Sequence, residues 1–97
     1  DENEYIELLQ LFIKSGHADL QKLKTALDQR DLDLVVHSAH TLKGASGNLG
    51  LMTIYEMAKK IENKAADLQI ESLDQQVQLL ADHFNVFASS VPRTNTA

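Results

Sequence analysis

Residues 31–50, DLDLVVHSAHTLKGASGNLG, carry the pattern from which the rest of the fold can be worked out. Asp31 is a favourable N-cap residue, because its side chain can accept a hydrogen bond from the first turn of a helix. The positions that follow at helical spacing are apolar or small: Leu32, Val35, Ala39, Leu42 and Ser46. The stretch therefore predicts a helix that begins near Asp31, buries one face and continues toward Leu49.

The opposite face of this predicted helix is unusual. At 3.6 residues per turn, His40, Lys43, Gly44 and Gly47 fall on one face, away from the apolar stripe. A glycine inside a helix costs roughly 1 kcal/mol relative to alanine, so two of them on one face need a reason. We predict an imidazole that points into solvent, with a lysine and two positions of bare backbone beside it.

The segments before this helix also have helical periodicity. Two apolar stripes are separated near Ser15 and Gly16, where a glycine is a plausible helix stop. The first stripe consists of Tyr5, Leu9 and Phe12, and the second of Leu20, Leu23 and Leu27. We therefore predict two short helices upstream of Asp31.

The segments after it begin with two capping-box spacings. Thr53 and Glu56 form T-x-x-E, and Ser72 and Gln75 form S-x-x-Q. An apolar stripe follows each of them: Ile54, Met57, Ala58, Ile61, Ala65 and Leu68, and then Leu73, Val77, Leu80, Phe84, Phe87 and Val91. Both segments are predicted to be amphipathic helices, and Pro92 is expected to end the second.

Five helices with short connections predict an all-α fold, an antiparallel up-and-down four-helix bundle with an additional N-terminal helix. A chain of 97 residues is long enough for one such domain. We expect the bundle to span residues 1–91, and residues 92–97 to form a polar C-terminal tail. We also expect a monomer, because the apolar stripes can satisfy one another.

Composition narrows the possible functions. The net charge of −5 argues against binding to nucleic acid, which needs a basic face. No apolar run approaches the roughly 20 residues that cross a bilayer, so direct membrane contact is not expected. The chain has no cysteine, which rules out disulfides and thiolate metal sites.

Residues 39–50 resemble the signature of histidine-containing phosphotransfer domains. In that family an Ala-His pair is followed by Leu-Lys-Gly, small residues and Asn-Leu-Gly. The matching residues are Ala39, His40, Leu42, Lys43, Gly44, Ala45, Ser46, Asn48, Leu49 and Gly50. The likeness continues into the next predicted helix, where the matching residues are Ile54, Met57, Ala58, Ile61 and Glu62. By helix number and length, it covers essentially the whole chain.

The resemblance implies a phosphocarrier in a His-Asp phosphorelay. His40 would accept a phosphoryl group through Nε2 from the aspartate of a response-regulator receiver domain and pass it to another receiver aspartate. Lys43 would stabilise the phosphoryl charge, and Gly44 would give access. Such a domain is not an enzyme with kinase activity of its own. It needs no cofactor and no metal site, because Mg²⁺ belongs to the receiver.

The same resemblance implies a docking surface and a cellular setting. We expect Val36 to be an exposed apolar contact for the receiver, next to His37 and Gly47. Lys59 and Lys60 would face the acidic surface of the receiver; the alternative is an ordinary solvated lysine pair, which is the commoner case at this spacing. A start at Asp1 instead of Met and the polar tail favour a hybrid sensor histidine kinase as the parent, with this domain at its C-terminal end, cytoplasmic or tethered to the inner membrane. A free-standing carrier is the alternative.

Glu62 is left open at this point. Some relatives have a glutamine there, beside the active histidine. A carboxylate could orient the unmodified imidazole but would repel a phosphorylated one. A solvated carboxylate without a role at the site is an equally good interpretation.

Two other functions remain as alternatives. His37 and His40 are three residues apart on one helix face, which is a spacing that a metal-binding bundle could use. The chain could also be a non-catalytic helical adaptor that keeps only the fold. Acid-labile phosphate on His40 would favour the carrier, whereas stoichiometric zinc after dialysis would favour the metal site.

Overall fold

A computed structural model of the chain describes residues 1–93, and within this range it contains four α-helices and no strand. The helices are α1 (Glu2–Asp28), α2 (Leu32–Asn48), α3 (Met52–Ala66) and α4 (Leu73–Ser90). Helices that are consecutive in sequence pack against each other, and α1 closes the bundle by packing on α4. The predicted all-α bundle is therefore confirmed. In the part of the chain described, no helix combines the length and apolarity needed to cross a bilayer.

The predicted break between two N-terminal helices is wrong. Helix α1 runs for 27 residues without interruption through Ser15 and Gly16. Gly16 is buried against α4, and a Cβ atom at this position would lie only 2.6 Å from the Phe84 ring. The glycine is therefore required for close helix packing and does not end the helix. What the sequence suggested as an additional N-terminal helix is the first half of α1.

The starts of the other helices agree only in part with the predicted caps. Asp31 caps α2, and its Oδ1 atom accepts a hydrogen bond from the backbone N–H of Leu34 at 3.2 Å. Among the described residues, however, no side-chain hydrogen bond caps α3 or α4. The chain enters α3 directly from a turn at Gly50, where φ is 73° and the next N–H bonds the Ser46 carbonyl. Thr53 therefore already lies inside the helix and does not cap it.

The core is built from apolar residues of all four helices. Phe84 is fully buried, and its ring centroid lies 5.7 Å from that of Phe12 and 6.4 Å from that of Phe87. This aromatic cluster joins α1 to α4. The other large side chains that are completely buried are Leu23, Val35, Leu42, Ile54, Ile61, Leu73 and Leu80.

The last helix ends shortly before Pro92. Helix α4 ends at Ser90, and Val91 is extended but still buried. The backbone carbonyl of Pro92 accepts a hydrogen bond from the Gln10 side chain at 2.7 Å, which fastens this end to α1. Of the predicted tail, residues 94–97 lie outside the described range.

Candidate functional site

His40 projects from α2 into solvent, and its side chain is 63% exposed. Its neighbours in sequence explain this direction. Ala39 and Leu42 are completely buried, so the helix is held with the opposite face outward. The structure therefore places the imidazole where the sequence predicts it, clear of the core.

Glu62 of α3 joins the imidazole to the predicted lysine. Its Oε2 atom lies 2.8 Å from His40 Nδ1, and its Oε1 atom lies 2.8 Å from Lys43 Nζ. Unlike His40, the carboxylate is largely buried, with only 16% of the side chain exposed. The packing of α2 on α3 thus assembles three residues into one connected group, and its central member was the residue left open by the sequence.

This contact selects one tautomer of the neutral imidazole. An ionised carboxylate only accepts hydrogen bonds, so at 2.8 Å from Glu62 the Nδ1 atom must be the donor. The proton of neutral His40 therefore lies on Nδ1, and the lone pair of the ring lies on Nε2. Nε2 is the nitrogen that the resemblance assigns to phosphoryl transfer.

The electrostatics of the group keep the carboxylate charged. Partial burial alone would raise the pKa of Glu62, but the contacts with Lys43 and His40 outweigh this effect and hold that pKa below its usual range. Reciprocally, the close contact with Glu62 raises the pKa of Lys43 despite some desolvation. Glu62 is therefore an anion and Lys43 a cation at neutral pH.

The two glycines of the predicted face have different surroundings. Gly44 is exposed, and apart from its chain neighbours and the adjacent backbone of α2, no atom of the described residues lies within 4 Å of the place where its Cβ would be. A Cβ at Gly47 would instead lie 3.0 Å from the Tyr55 ring of α3. Gly47 therefore makes room for Tyr55, whereas Gly44 keeps open space beside His40.

Tyr55 is the residue of this surface that the sequence analysis missed. Its ring lies against Gly47, and Lys59 Nζ lies 6.0 Å from the ring centroid, within the range of a cation–π contact. The spacing of Tyr55 and Lys59, four residues apart on one helix face, was a signal that could have been used. Neither the ring nor the lysine belongs to the buried stripe of α3.

The other predicted contact residues are distributed unevenly. His37 is exposed on α2, as expected. Val36 was predicted to be exposed, but it is half-buried and packs against the core. On α2 it lies on the same side as Lys43, which contacts Glu62 of α3. Lys59 and Lys60 are both exposed, yet on an α-helix Lys60 lies about 160° around α3 from Glu62, and Lys59 only about 60°. Of the two lysines, Lys59 is the one on the Glu62 side of α3.

Residues 1–93 contain no cluster of metal-ligating side chains that would support the metal-binding alternative. There, no three His, Cys, Asp or Glu side chains are grouped so that they could hold a metal ion. In the proposed pair of His37 and His40, the Nδ1 atom of His40 is already engaged by Glu62.

Comparisons with known proteins agree with the fold. The Hpt domain family model matches residues 7–88. Among curated proteins, none matches the sequence significantly. Among solved structures, the chain is similar to histidine-containing phosphotransfer protein B (HptB) from Pseudomonas aeruginosa PAO1, with a TM-score of 0.82 and 27% sequence identity. The similarity covers 88% of this chain and 74% of that one. Since the family match spans most of its length, the chain belongs to the Hpt domain family.

Proposed function

We propose that this chain carries a phosphoryl group on His40 in a His-Asp phosphorelay, receiving it from one receiver-domain aspartate and passing it to another. The observation that carries the proposal is the contact between His40 Nδ1 and Glu62, which leaves Nε2 of an exposed ring as the nucleophile. Family membership supports the same role.

The transfer step is a direct exchange of the phosphoryl group. The Nε2 lone pair attacks the phosphorus of the aspartyl phosphate, the N–P bond forms, and the acyl O–P bond breaks to release the aspartate carboxylate. His40 keeps its proton on Nδ1, so the phosphorylated ring is cationic and Glu62 faces this new positive charge. The phosphoryl group, which a carboxylate would repel, lies on the opposite ring nitrogen. No proton has to move, and the return step to a second receiver follows the same path backwards.

Lys43 and Gly44 assist this step in different ways. The Lys43 ammonium is held next to the imidazole through Glu62 and supplies positive charge toward the transferring phosphoryl oxygens. Gly44 leaves space beside the ring for the acidic pocket of the receiver. That pocket brings the Mg²⁺, so the chain acts as a carrier that does not phosphorylate itself from ATP.

The wider setting is proposed from the family. We infer a hybrid sensor histidine kinase as the parent, with this domain on the cytoplasmic side and its partners limited to receiver domains. The docking surface would include His37, Gly47 and the half-buried Val36 around His40, with Lys59 at its edge on α3.

The direct test is to incubate the protein with a phosphorylated receiver domain and Mg²⁺. We expect label to move to the chain as acid-labile, alkali-stable phosphate, which is the behaviour of phosphohistidine. A second, unphosphorylated receiver should then remove the label. The proposal fails if no receiver of a matched panel transfers label, while an established Hpt protein accepts it from the same panel.

Replacing Gly44 by alanine should stabilise the protein and slow the transfer. Alanine is favoured over glycine in a helix interior by about 0.5–1 kcal/mol, and the space around Gly44 accepts a methyl group. The same methyl group would stand beside His40 where the receiver approaches. Urea unfolding and the initial rate of label transfer measure the two effects. An unchanged rate in the stabilised variant would show that Gly44 is not kept for access.

Replacing Glu62 by glutamine should slow phosphoryl acceptance about tenfold. The amide oxygen can still accept from Nδ1, but a hydrogen bond to a charged partner is worth roughly 1–1.5 kcal/mol more than a neutral one. The cationic product ring also loses its neutralising charge. Single-turnover transfer rates at neutral pH check this, and equal rates for the two proteins would remove Glu62 from the mechanism.

The same variant should change the acid dependence of stability. Because the folded-state pKa of Glu62 is lowered, its ionised form stabilises the fold at pH values above the ordinary glutamate range. That contribution is lost as the pH falls through the lowered pKa. Wild type should therefore lose more stability than Glu62→Gln between neutral and acidic pH, as measured by the free energy of unfolding.

Lys59 and Lys60 offer a matched pair for testing the docking surface. Each glutamine substitution removes one exposed positive charge, but of the two only Lys59 lies within about 60° of Glu62 around α3 and over the Tyr55 ring. We expect Lys59→Gln to lower the second-order transfer rate roughly 2- to 5-fold at low salt, because docking to an acidic receiver is electrostatically steered. Lys60→Gln should match wild type. Equal effects of the two substitutions would mean that only net charge matters.

A further inference from the structure

Tyr55 and Lys59 lie on the same side of α3 as Glu62. They come seven and three residues before Glu62, which places them about 20° and 60° from it around the helix. The Tyr55 ring is half-buried against α2, where a Cβ atom at Gly47 would lie 3.0 Å from it. Lys59 is exposed, and its Nζ atom lies 6.0 Å from the centroid of the ring. The ring therefore contacts the α2 backbone and also has an ammonium group within the range of a cation–π contact.

The contacts between α2 and α3 show in which direction Lys59 carries its charge. His40 meets Glu62, whereas Gly47 meets Tyr55, so the two helices run antiparallel along this shared surface. A side chain on a helix leans toward the N-terminus of that helix, which for Lys59 is the Tyr55 end. The position of its ammonium near the ring agrees with this. Lys59 thus carries its charge away from Glu62, toward the Tyr55 end of the shared surface.

The Lys59 side chain also has a second direction open to it. Glu56 lies about 60° from Lys59 around α3, on the side away from Glu62. Both residues line a hollow of about 440 Å³ on the outer side of α3, together with Lys60. Glutamate and lysine three residues apart on a helix can form an ion pair. Among the described residues, however, Lys59 contacts the Tyr55 ring and forms no salt bridge with Glu56.

We propose that Tyr55 is a positioning residue for phosphoryl transfer: its ring, packed on Gly47, holds the Lys59 ammonium on the α2 side of α3, where it meets an acidic side chain of the receiver. The inference rests on the proposed function and adds to it a residue that selects among receivers. A lysine that is ordered before docking loses less conformational entropy when the complex forms. Receivers with a carboxylate opposite the Tyr55 end of the shared surface are therefore favoured over receivers without one.

The test measures the rate of phosphoryl acceptance against the concentration of a phosphorylated receiver that labels wild type. Tyr55→Ala should raise the receiver concentration that gives the half-maximal rate by about 2- to 5-fold at low salt, which is the strength of an exposed cation–π contact. The maximal rate should not change, because His40 and its contact with Glu62 remain. Added salt should reduce the difference from wild type. Rates are compared per folded molecule, with urea unfolding to measure the folded fraction.

Tyr55→Phe is the conservative control. It keeps the ring, and with it both the packing on Gly47 and the cation–π contact, so it should behave like wild type. A change that only loosened the packing of α2 on α3 would lower stability without this dependence on receiver concentration and salt.

A double-variant cycle tests whether the ring acts through the lysine. If it does, Tyr55→Ala combined with Lys59→Gln should be no slower than Lys59→Gln alone, because the charge to be positioned is already absent. Glu56→Gln added to Tyr55→Ala should recover part of the lost rate, since it removes the carboxylate that can draw the ammonium into the outer hollow.

Three results would overturn the inference while leaving the proposed function intact. Wild-type kinetics for Tyr55→Ala would confine the ring to helix packing. Losses that multiply in the double variant would mean that the ring touches the receiver independently of Lys59. A Tyr55→Phe variant as slow as Tyr55→Ala would assign the effect to the hydroxyl group. A wild type that no phosphorylated receiver labels would instead refute the proposed function, and this inference with it.

Discussion

Replacing His40 by glutamine is expected to reduce phosphoryl acceptance from a phosphorylated receiver to background. Glutamine has no ring nitrogen with a lone pair that could attack phosphorus, so the effect should be complete and independent of protein concentration. The glutamine amide can still donate a hydrogen bond to Glu62, which keeps the carboxylate and Lys43 in place. Because His40 is largely exposed, the free energy of unfolding should change by no more than about 0.5 kcal/mol.

His37→Gln is the matched control for this experiment. His37 lies three residues earlier on α2 and is also exposed. Of the two histidine rings, Glu62 contacts that of His40. We expect this variant to accept the label, with a moderate loss of rate if His37 contacts the receiver. Acid-labile phosphate should be measured on both variants and located by mass spectrometry. If His40→Gln retains label and His37→Gln loses it, the carrier has been assigned to the wrong histidine.

The exposed face of α2 could be predicted because its determinants are local. Asp31 caps the helix within one turn, and the apolar stripe fixes which side is buried. The outward positions of His40 and Gly44 then follow from helical geometry alone, whereas the Lys43 side chain is only 23% exposed because it contacts Glu62 of α3. The same geometry predicted the burial of Ile54, Ala58 and Ile61 in α3.

Features that depend on contact between helices could not be predicted in this way. Glu62 bridges His40 and Lys43 only because α2 and α3 pack in one particular register, and helical periodicity does not specify that register. Gly47 and Tyr55 meet for the same reason. Val36 was placed outside the core because its angle was judged against α2 alone, without the neighbouring helix.

The role of Gly16 also depends on a contact between helices. Glycine can end a helix or can allow two helices to come close, and a single sequence does not distinguish these roles. Here Gly16 allows two helices to pack closely, because the ring of Phe84, 68 residues later in the chain, lies against it. The long α1 that results also leaves Leu8 and Leu11 exposed on its outer face.

Phe84→Ala is expected to have the largest effect on stability of any single truncation discussed for this chain. Phe84 is completely buried and contacts the rings of Phe12 and Phe87, and its edge fills the space left by Gly16. Removing a buried phenylalanine side chain costs about 3–5 kcal/mol through lost burial and the cavity that remains. A domain of this size has only about 5–15 kcal/mol in total, so the variant should be near the limit of folding. Urea unfolding measures the loss.

Val86→Ala on the same helix provides the control, because Val86 is mostly exposed and its truncation should change stability by no more than about 0.5 kcal/mol. The aromatic cluster joins α1 to α4, whereas His40, Lys43 and Glu62 lie where α2 meets α3. At a temperature where Phe84→Ala is still folded, the rate of phosphoryl acceptance per folded molecule should therefore equal that of wild type. A loss of less than about 1 kcal/mol would mean that the bundle does not depend on this cluster. A lower rate per folded molecule would mean instead that closing α1 on α4 also sets the geometry around His40.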